Sequence, residues 1–265
     1  MNSTNAQWMS ELPPRLWDIP LHHLSIPGSH DTMTYCLNKK SPVSQNESKL
    51  LQVLNKVVPC ITRPVILKWS TTQDTLTDIS EWLQNHPKEV VILACRNFEG
   101  MTAELHQYLV TCIKNIFGKT LCPRGELLTL KHLWRHGYRV IVSYEDEITM
   151  HRHKELWPGI PYWWGNKVKR DDLICYLESM KESGRPDELF VAGINLTENF
   201  PYIMAHPSGS LKKMTLPNLP YLNAWVQKQC PGPGTKCTNI IAGDFVGSDS
   251  FVSDVIALNQ KLLID

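Results

Sequence analysis

Apolar runs alternate with helix-patterned stretches from one end of the chain to the other. Five runs predict strands, at 21–26, 89–95, 139–143, 189–194 and 239–245. Each is a continuous apolar run, as in Val-Val-Ile-Leu-Ala-Cys at 90–95, which suits parallel strands buried on both faces. Between them the period changes to that of a helix. Residues 75–85 place Leu76, Ile79, Trp82 and Leu83 on one face, with Asp74 as N-cap and Pro87 just beyond the end. Residues 102–117 place Leu105, Leu109, Cys112, Ile113 and Ile116 on one face, and Gly118 ends the run. Further helices are predicted at 48–57, 171–182, 219–229 and 250–263. Repeated strand-then-helix units imply right-handed crossovers and either a barrel or an open doubly wound sheet. The runs at 89, 139, 189 and 239 are evenly spaced, but the residues between them share no self-similarity, so no repeat is assigned.

Composition narrows the picture. A chain of 265 residues with 42% apolar content is long enough for a sizeable core. No boundary is evident, so residues 1–265 are expected to form a single domain with a short extension over about 1–15. The 27 basic and 26 acidic residues leave a formal charge of +1, too little to attract nucleic acid or an anionic bilayer, and any lipid contact must be local. No apolar run approaches the roughly 20 residues of a membrane span. The eight cysteines form no C-x-x-C and several lie in apolar patterns, which reads as reduced core thiols. With no basic-then-apolar leader at the amino terminus, a cytoplasmic location is expected.

In a β/α barrel the residues just after each apolar run gather at one end, where active sites lie. Here they are His30 and Asp31, Arg96 and Asn97, Tyr144 with Glu145 and Asp146, Asn195, and Asp244. One histidine, one arginine and several carboxylates suit phosphate-ester chemistry, with a base for a hydroxyl, a cation for phosphate oxygens and a carboxylate to orient the base. Asp244, behind Gly243 in an apolar run, must meet a donor or a cation to be buried at all. A metal site built from His22, His30 and Asp31 is an alternative, although His22 and His23 would point to opposite sides of a strand. The loop 158–166 carries Trp163-Trp164, readable as core or as an interfacial anchor.

Ser25-Ile26-Pro27-Gly28-Ser29-His30-Asp31 resembles the first catalytic strand of the X domain of phosphatidylinositol-specific phospholipases C. The likeness continues through Lys68-Trp69-Ser70-Thr71-Thr72-Gln73, the stretch from Asp74 to Arg96, and Ile240-Ile241-Ala242-Gly243-Asp244-Phe245 with the helix that follows. The resemblance implies an α/β fold, a distorted TIM-like (β/α) barrel of parallel strands with outer helices. It also implies cleavage of an inositol phospholipid, met at a transient membrane surface, into diacylglycerol and a phosphorylated inositol. His30 matches the general base, Asp244 the carboxylate that orients it, Asp31 its polar neighbour, and Arg96 a basic substrate-binding residue. His30-Asp31 is similar to the metal-independent bacterial version, so no cofactor is implied, with calcium left open.

Between Gln73 and Asp74 that family carries a strand bearing Asp-x-Arg and another bearing a second histidine. Asp-x-Arg occurs nowhere in the 265 residues. The barrel is therefore expected to be incomplete and the chain a shortened form, weak or inactive as a hydrolase. A phosphoinositide-binding or regulatory protein without turnover is the alternative.

Overall fold

A computed structural model of the chain describes residues 5–32, 69–98 and 100–264. Seven strands appear among them: β1 Ile26–Ser29, β2 Val91–Cys95, β3 Val140–Tyr144, β4 Leu156–Trp157, β5 Tyr162–Trp163, β6 Val191–Gly193 and β7 Ile240–Gly243. All pairings between them are parallel. The chain clusters into two compact units, one of Met1–His30, Leu127–Leu133 and Ile160–Asp265, the other of Asp31–Glu126 and Trp134–Gly159.

The first unit holds a four-stranded sheet in the order β1-β7-β6-β5. One face of it is apolar. Trp163, Ala192, Ile194 and Ile241 pack there against Leu173 and Leu177 of the helix Arg170–Glu182, Leu222 and Val226 of Leu219–Val226, and Phe251 and Val255 of Phe251–Ala257. Each leucine, isoleucine, valine and phenylalanine among them contributes about 1.5–3 kcal/mol by leaving water. The other face carries small residues, Gly28, Ala242 and Gly193 lying side by side in the register.

Two buried asparagines fix the start of β1. The Nδ2 of Asn239 donates to the carbonyls of Leu21 and Leu24, both at 2.8 Å, while its Oδ1 accepts from the Phe190 N–H. Asn259 accepts from the Ser25 N–H and donates to the Ser25 carbonyl, both at 2.9 Å, which mimics a strand partner. Asn259 lies in the 3-10 segment Leu258–Leu263. The helix expected over 250–263 is therefore α-helical only to Ala257 and tightens beyond it.

The run 21–26 is not a strand throughout. Leu21–His23 forms a 3-10 turn behind Pro20, and β1 starts at Ile26 and continues through Ser29. Leu21 and Leu24 are both fully buried, because three residues make one turn of a 3-10 helix. That spacing imitates a continuous apolar run.

In the second unit, β3 lies between β2 and β4 and is buried along its whole length, whereas β2 is only partly buried. Burial on both faces, expected of every run, holds for the strand with neighbours on both sides. The helix Ala103–Phe117 starts at Thr102, whose hydroxyl accepts from the Leu105 N–H, and ends at Gly118 with φ of 50°. Its buried face is His106, Leu109, Val110, Ile113 and Phe117, turned by about one residue from the predicted stripe. A hydrogen bond of 2.7 Å between His106 Nδ1 and the buried Tyr144 hydroxyl explains that turn. The helix predicted from residue 75 begins at Trp69, so Asp74 lies inside it and caps nothing. Trp82 keeps 38% of its surface exposed and stacks on His86 rather than entering the core. The helix expected over 48–57 falls outside the described residues.

The α/β character and the parallel strands with flanking helices match the expected class, and among the described residues neither ladder closes on itself. No described helix is long and apolar enough to cross a membrane.

Candidate active site

The register of the first unit brings three strand ends level. Ser29 pairs with Gly243, and the His30 N–H donates to the Gly243 carbonyl at 3.0 Å, so His30 and Asp244 leave the sheet together. Gly193 pairs with Ala242 and the Ile194 N–H donates to the Ala242 carbonyl, which sets Asn195 opposite Asp244 on its other side. His30 Nδ1 lies 3.0 Å from Asp244 Oδ1, and Asn195 Nδ2 donates to Asp244 Oδ2 at 3.1 Å. The Tyr162 hydroxyl donates to Asn195 Oδ1 at 2.5 Å.

Those contacts fix every proton in the row. A carboxylate only accepts, so Asn195 must present its amino group to Asp244, and its carbonyl oxygen must accept from Tyr162. His30 must then carry a proton on Nδ1, which leaves the lone pair on Nε2. Nε2 is the nitrogen able to take a proton from a substrate. The side chains of His30 and Asp244 are only 14% and 8% exposed. At that burial the carboxylate is stabilised by its two donors and in turn favours the imidazolium that forms when Nε2 accepts a proton.

Aromatic rings frame the imidazole. Trp164 stands edge-on to His30 at 5.2 Å between ring centroids, and Tyr162 lies at 6.2 Å. Tyr162 reaches Asn195 by crossing directly over Gly193. A Cβ at 193 would sit 2.5 Å from Tyr162 Cε1 and 2.8 Å from Asn195 Oδ1. Behind the site, Phe245 has φ of 56° and Asp31 has φ of 48°. A bulky residue in the left-handed region costs about 1–3 kcal/mol, and this strain sits one residue beyond Asp244.

The residues singled out in the sequence divide accordingly. His30, Asp244 and Asn195 come together. Asp31 follows His30 with its side chain exposed. Arg96 lies in the second unit, just past β2, and its Nη2 is 3.5 Å from Glu145 Oε1. Glu145 also accepts from the Asn97 N–H at 2.7 Å. Tyr144 is core, where burial pushes its hydroxyl well above the usual tyrosine range. Asp146 caps the helix Glu147–Arg152 by accepting from the Thr149 N–H, and hydrogen bonds from the Thr149 hydroxyl first and its N–H second hold the Asp146 carboxyl below the usual range.

Tyr162 is not legible in the sequence as a site residue. The only signal for it was the aromatic stretch 158–166, whose two tryptophans turn out to differ: Trp163 is core and Trp164 is exposed beside His30. His22 and His30 flank opposite ends of β1, roughly 13 Å of strand apart, so the metal grouping of His22, His30 and Asp31 does not form.

No family model matches the chain. Among curated relatives it is 64% identical to human PI-PLC X domain-containing protein 1, covering 98% of this chain and 94% of the relative. The mouse protein of that name is 56% identical, with 97% and 87% covered. The Danio rerio PI-PLC X domain-containing protein 3 is 30% identical, with 97% and 94% covered. The human alignment runs over 304 positions against a chain of 265 residues, so at least 39 of those positions have no counterpart here. Among solved structures, the F249X mutant of phosphatidylinositol-specific phospholipase C from Staphylococcus aureus superposes with a TM-score of 0.60 at 14% identity, covering 96% of this chain and 97% of that one. That likeness establishes the fold.

Proposed function

The chain belongs to the PI-PLC X domain-containing protein family, and from that premise we propose that it is a phosphoric diester hydrolase of the phosphatidylinositol-specific phospholipase C type that retains the base half of the reaction. In this reading one X-type domain spans residues 1–265. His30 Nε2 takes the proton of the inositol 2-hydroxyl while that oxygen bonds to phosphorus and the bond from phosphorus to the diacylglycerol oxygen breaks. Asp244 holds the Nδ1 proton and steadies the imidazolium, with Asn195 and Tyr162 locking the carboxylate in place. Asp31 is assigned as the polar neighbour of His30. Arg96 is assigned to substrate binding by its match to a basic substrate-binding residue.

The single observation that supports this reading is the row His30–Asp244–Asn195–Tyr162, in which each hydrogen bond dictates the next. Glycine-lined small-residue floor and edge-on tryptophan leave the polar row as the chemical feature of that face. The shortfall of at least 39 positions against the human relative and the absence of Asp-x-Arg argue that the acid half is missing. The departing alkoxide must then take its proton from solvent. Loss of a positioned acid costs about 10²–10⁴ in rate, so turnover on lipid is slow. The substrate is met at a membrane surface by peripheral contact from the cytoplasm.

Two substrates test the reading. Phosphatidylinositol vesicles report slow release of inositol phosphate, and an aryl ester of inositol phosphate, whose leaving group needs no proton, should be cleaved faster by at least 100-fold, both losing turnover in His30→Ala. Turnover of the aryl ester undiminished by that substitution removes His30 as the base. The shortfall also favours a second reading, a phosphoinositide-binding protein without turnover. It predicts headgroup-dependent flotation with vesicles and no cleavage of either substrate, and flotation indifferent to the headgroup sinks it.

A further inference from the structure

His22 and His23 are left over by the proposed chemistry, and their placement is unlike that of two neighbours in a strand. The 3-10 turn Leu21–His23 sets the rings edge to face, with centroids 4.3 Å apart. Asp187, in the loop before β6, brings its carboxylate to 3.7 Å from His22 Nε2. One ligand atom from each of His22, His23 and Asp187 lies within 4.8 Å of the other two.

We propose that His22, His23 and Asp187 bind a divalent transition-metal ion of the zinc class. Two imidazoles and one carboxylate favour zinc, cobalt or nickel over calcium or magnesium, which prefer all-oxygen shells. A tetrahedral ion with ligands at about 2.0–2.2 Å needs the three atoms drawn closer than they stand. The fully exposed Asp187 side chain has the rotamer freedom to close that gap, and a water completes the fourth position. The turn that carries the histidines is held in advance. Arg185 donates to the His22 carbonyl, to Gly232 O at 2.8 Å and to Pro186 O at 3.0 Å, and lies over the Phe190 ring. Its positive charge opposes a dication, and the carboxylate of Asp187 offsets that charge. Asp187 is therefore the ligand on which affinity depends most.

The position gives the ion a consequence. The His22–His23 turn precedes β1 and Asp187 precedes β6, the two strands that flank β7. In a parallel sheet this is the end opposite His30, Asn195 and Asp244. A bound ion clamps β1 to β6 across β7 from below and stabilises the sheet that positions the base, without touching substrate.

Protein purified without an affinity tag and stripped with chelator is titrated with zinc, calcium and cobalt. One equivalent of zinc binds, calcium does not, and cobalt gives the intense visible absorption of a four-coordinate site. At zinc 100-fold above its Kd the melting temperature rises by about 5 °C. His23→Gln and Asp187→Asn each weaken binding by at least the roughly 10–100-fold that loss of a supporting partner costs, while the metal-free melting temperature stays put. His30→Gln leaves binding unchanged. Failure of zinc to bind stoichiometrically overturns the proposal, as does binding undiminished in the His23→Gln, Asp187→Asn double variant, which would place the ion on other side chains.

Discussion

Replacing Asp244 by asparagine keeps its shape and removes one acceptor, which makes it the sharpest probe of the polar row. The wild-type carboxylate takes the Nδ1 proton of His30 at 3.0 Å and an amide proton of Asn195 at 3.1 Å. Asn195 helps only by turning over, which obliges the Tyr162 hydroxyl, now donating to its oxygen at 2.5 Å, to give up that bond and accept from the amide instead. While Tyr162 keeps donating to Asn195, an amide at 244 faces two donors with one oxygen. With that oxygen toward His30, its amino group opposes the Asn195 amino group. Flipped, it donates to His30 Nδ1 and drives the proton to Nε2, the atom that must accept from the substrate. Either arrangement forfeits a charge-assisted hydrogen bond of about 1.5–3 kcal/mol, and in serine-protease triads the wrong tautomer alone lowers turnover by about 10⁴. Turnover of the aryl ester should fall by about 10²–10⁴ with KM nearly unchanged. A donor left unsatisfied costs about 1–3 kcal/mol, which in a chain of this size lowers the melting temperature by several degrees, at about 2–4 °C per kcal/mol. Initial rates on the aryl ester, with a thermal melt of the same preparation, test both. An Asp244→Asn variant turning over within about threefold of wild type refutes the claim that this carboxylate orients the base.

Gly193→Ala puts a Cβ 2.5 Å from Tyr162 Cε1 and 2.7 Å from its hydroxyl; overpacking of about 1–3 kcal/mol and lost turnover are expected, and an unchanged melt and rate would mean that Tyr162 does not lie across the glycine. Asn259→Ala strands the buried Ser25 N–H and carbonyl, and a calorimetric melt should drop by at least about 4 °C. Burial, with the charge of Glu126 adding to it, pushes the Cys122 thiol up to about 12, so at pH 8 only roughly 10⁻⁴ of it is thiolate. Peptide mapping after iodoacetamide at pH 8 should find the exposed Cys175 and Cys230 alkylated and Cys122 intact. The same raised value means that this thiol's contribution to stability is complete below the unfolded value near 9 and declines above it, as the unfolded chain ionises first.

The long apolar runs read true because burial dictates them: Val91–Cys95, Val191–Gly193 and Ile240–Gly243 lie within predicted strands, and Val140–Tyr144 overlaps the one predicted over 139–143 and ends one residue later. Leu156–Trp157 and Tyr162–Trp163 are not legible as strands because two residues make no run, and Pro158 and Pro161 between them look like loop. His30, Asn195 and Asp244 are legible for one reason, that each lies at the carboxyl end of an apolar run: His30 four residues past Ile26, Asn195 next after Ile194, and Asp244 next to last in 239–245. Tyr162 is not, since its part depends on the cross-strand register and on the missing side chain at Gly193, neither of which has a local signature. The pairing of His22 with His23 was hidden by the same three-residue spacing that disguised a 3-10 turn as a strand.

The two buried asparagines that hold the start of β1 have a temporal consequence. Asn239 and Asn259 reach back to Leu21, Leu24 and Ser25 across 215 to 234 residues of chain. On a ribosome, the segment bearing the future base is made early and waits for nearly all of synthesis before its anchors exist. Closure of so large a loop is slow, and during that interval the apolar residues of β1 must be shielded by something other than their native partners. A nascent chain halted before residue 239 would therefore hold His30 without Asp244, as an imidazole that has not yet become a base.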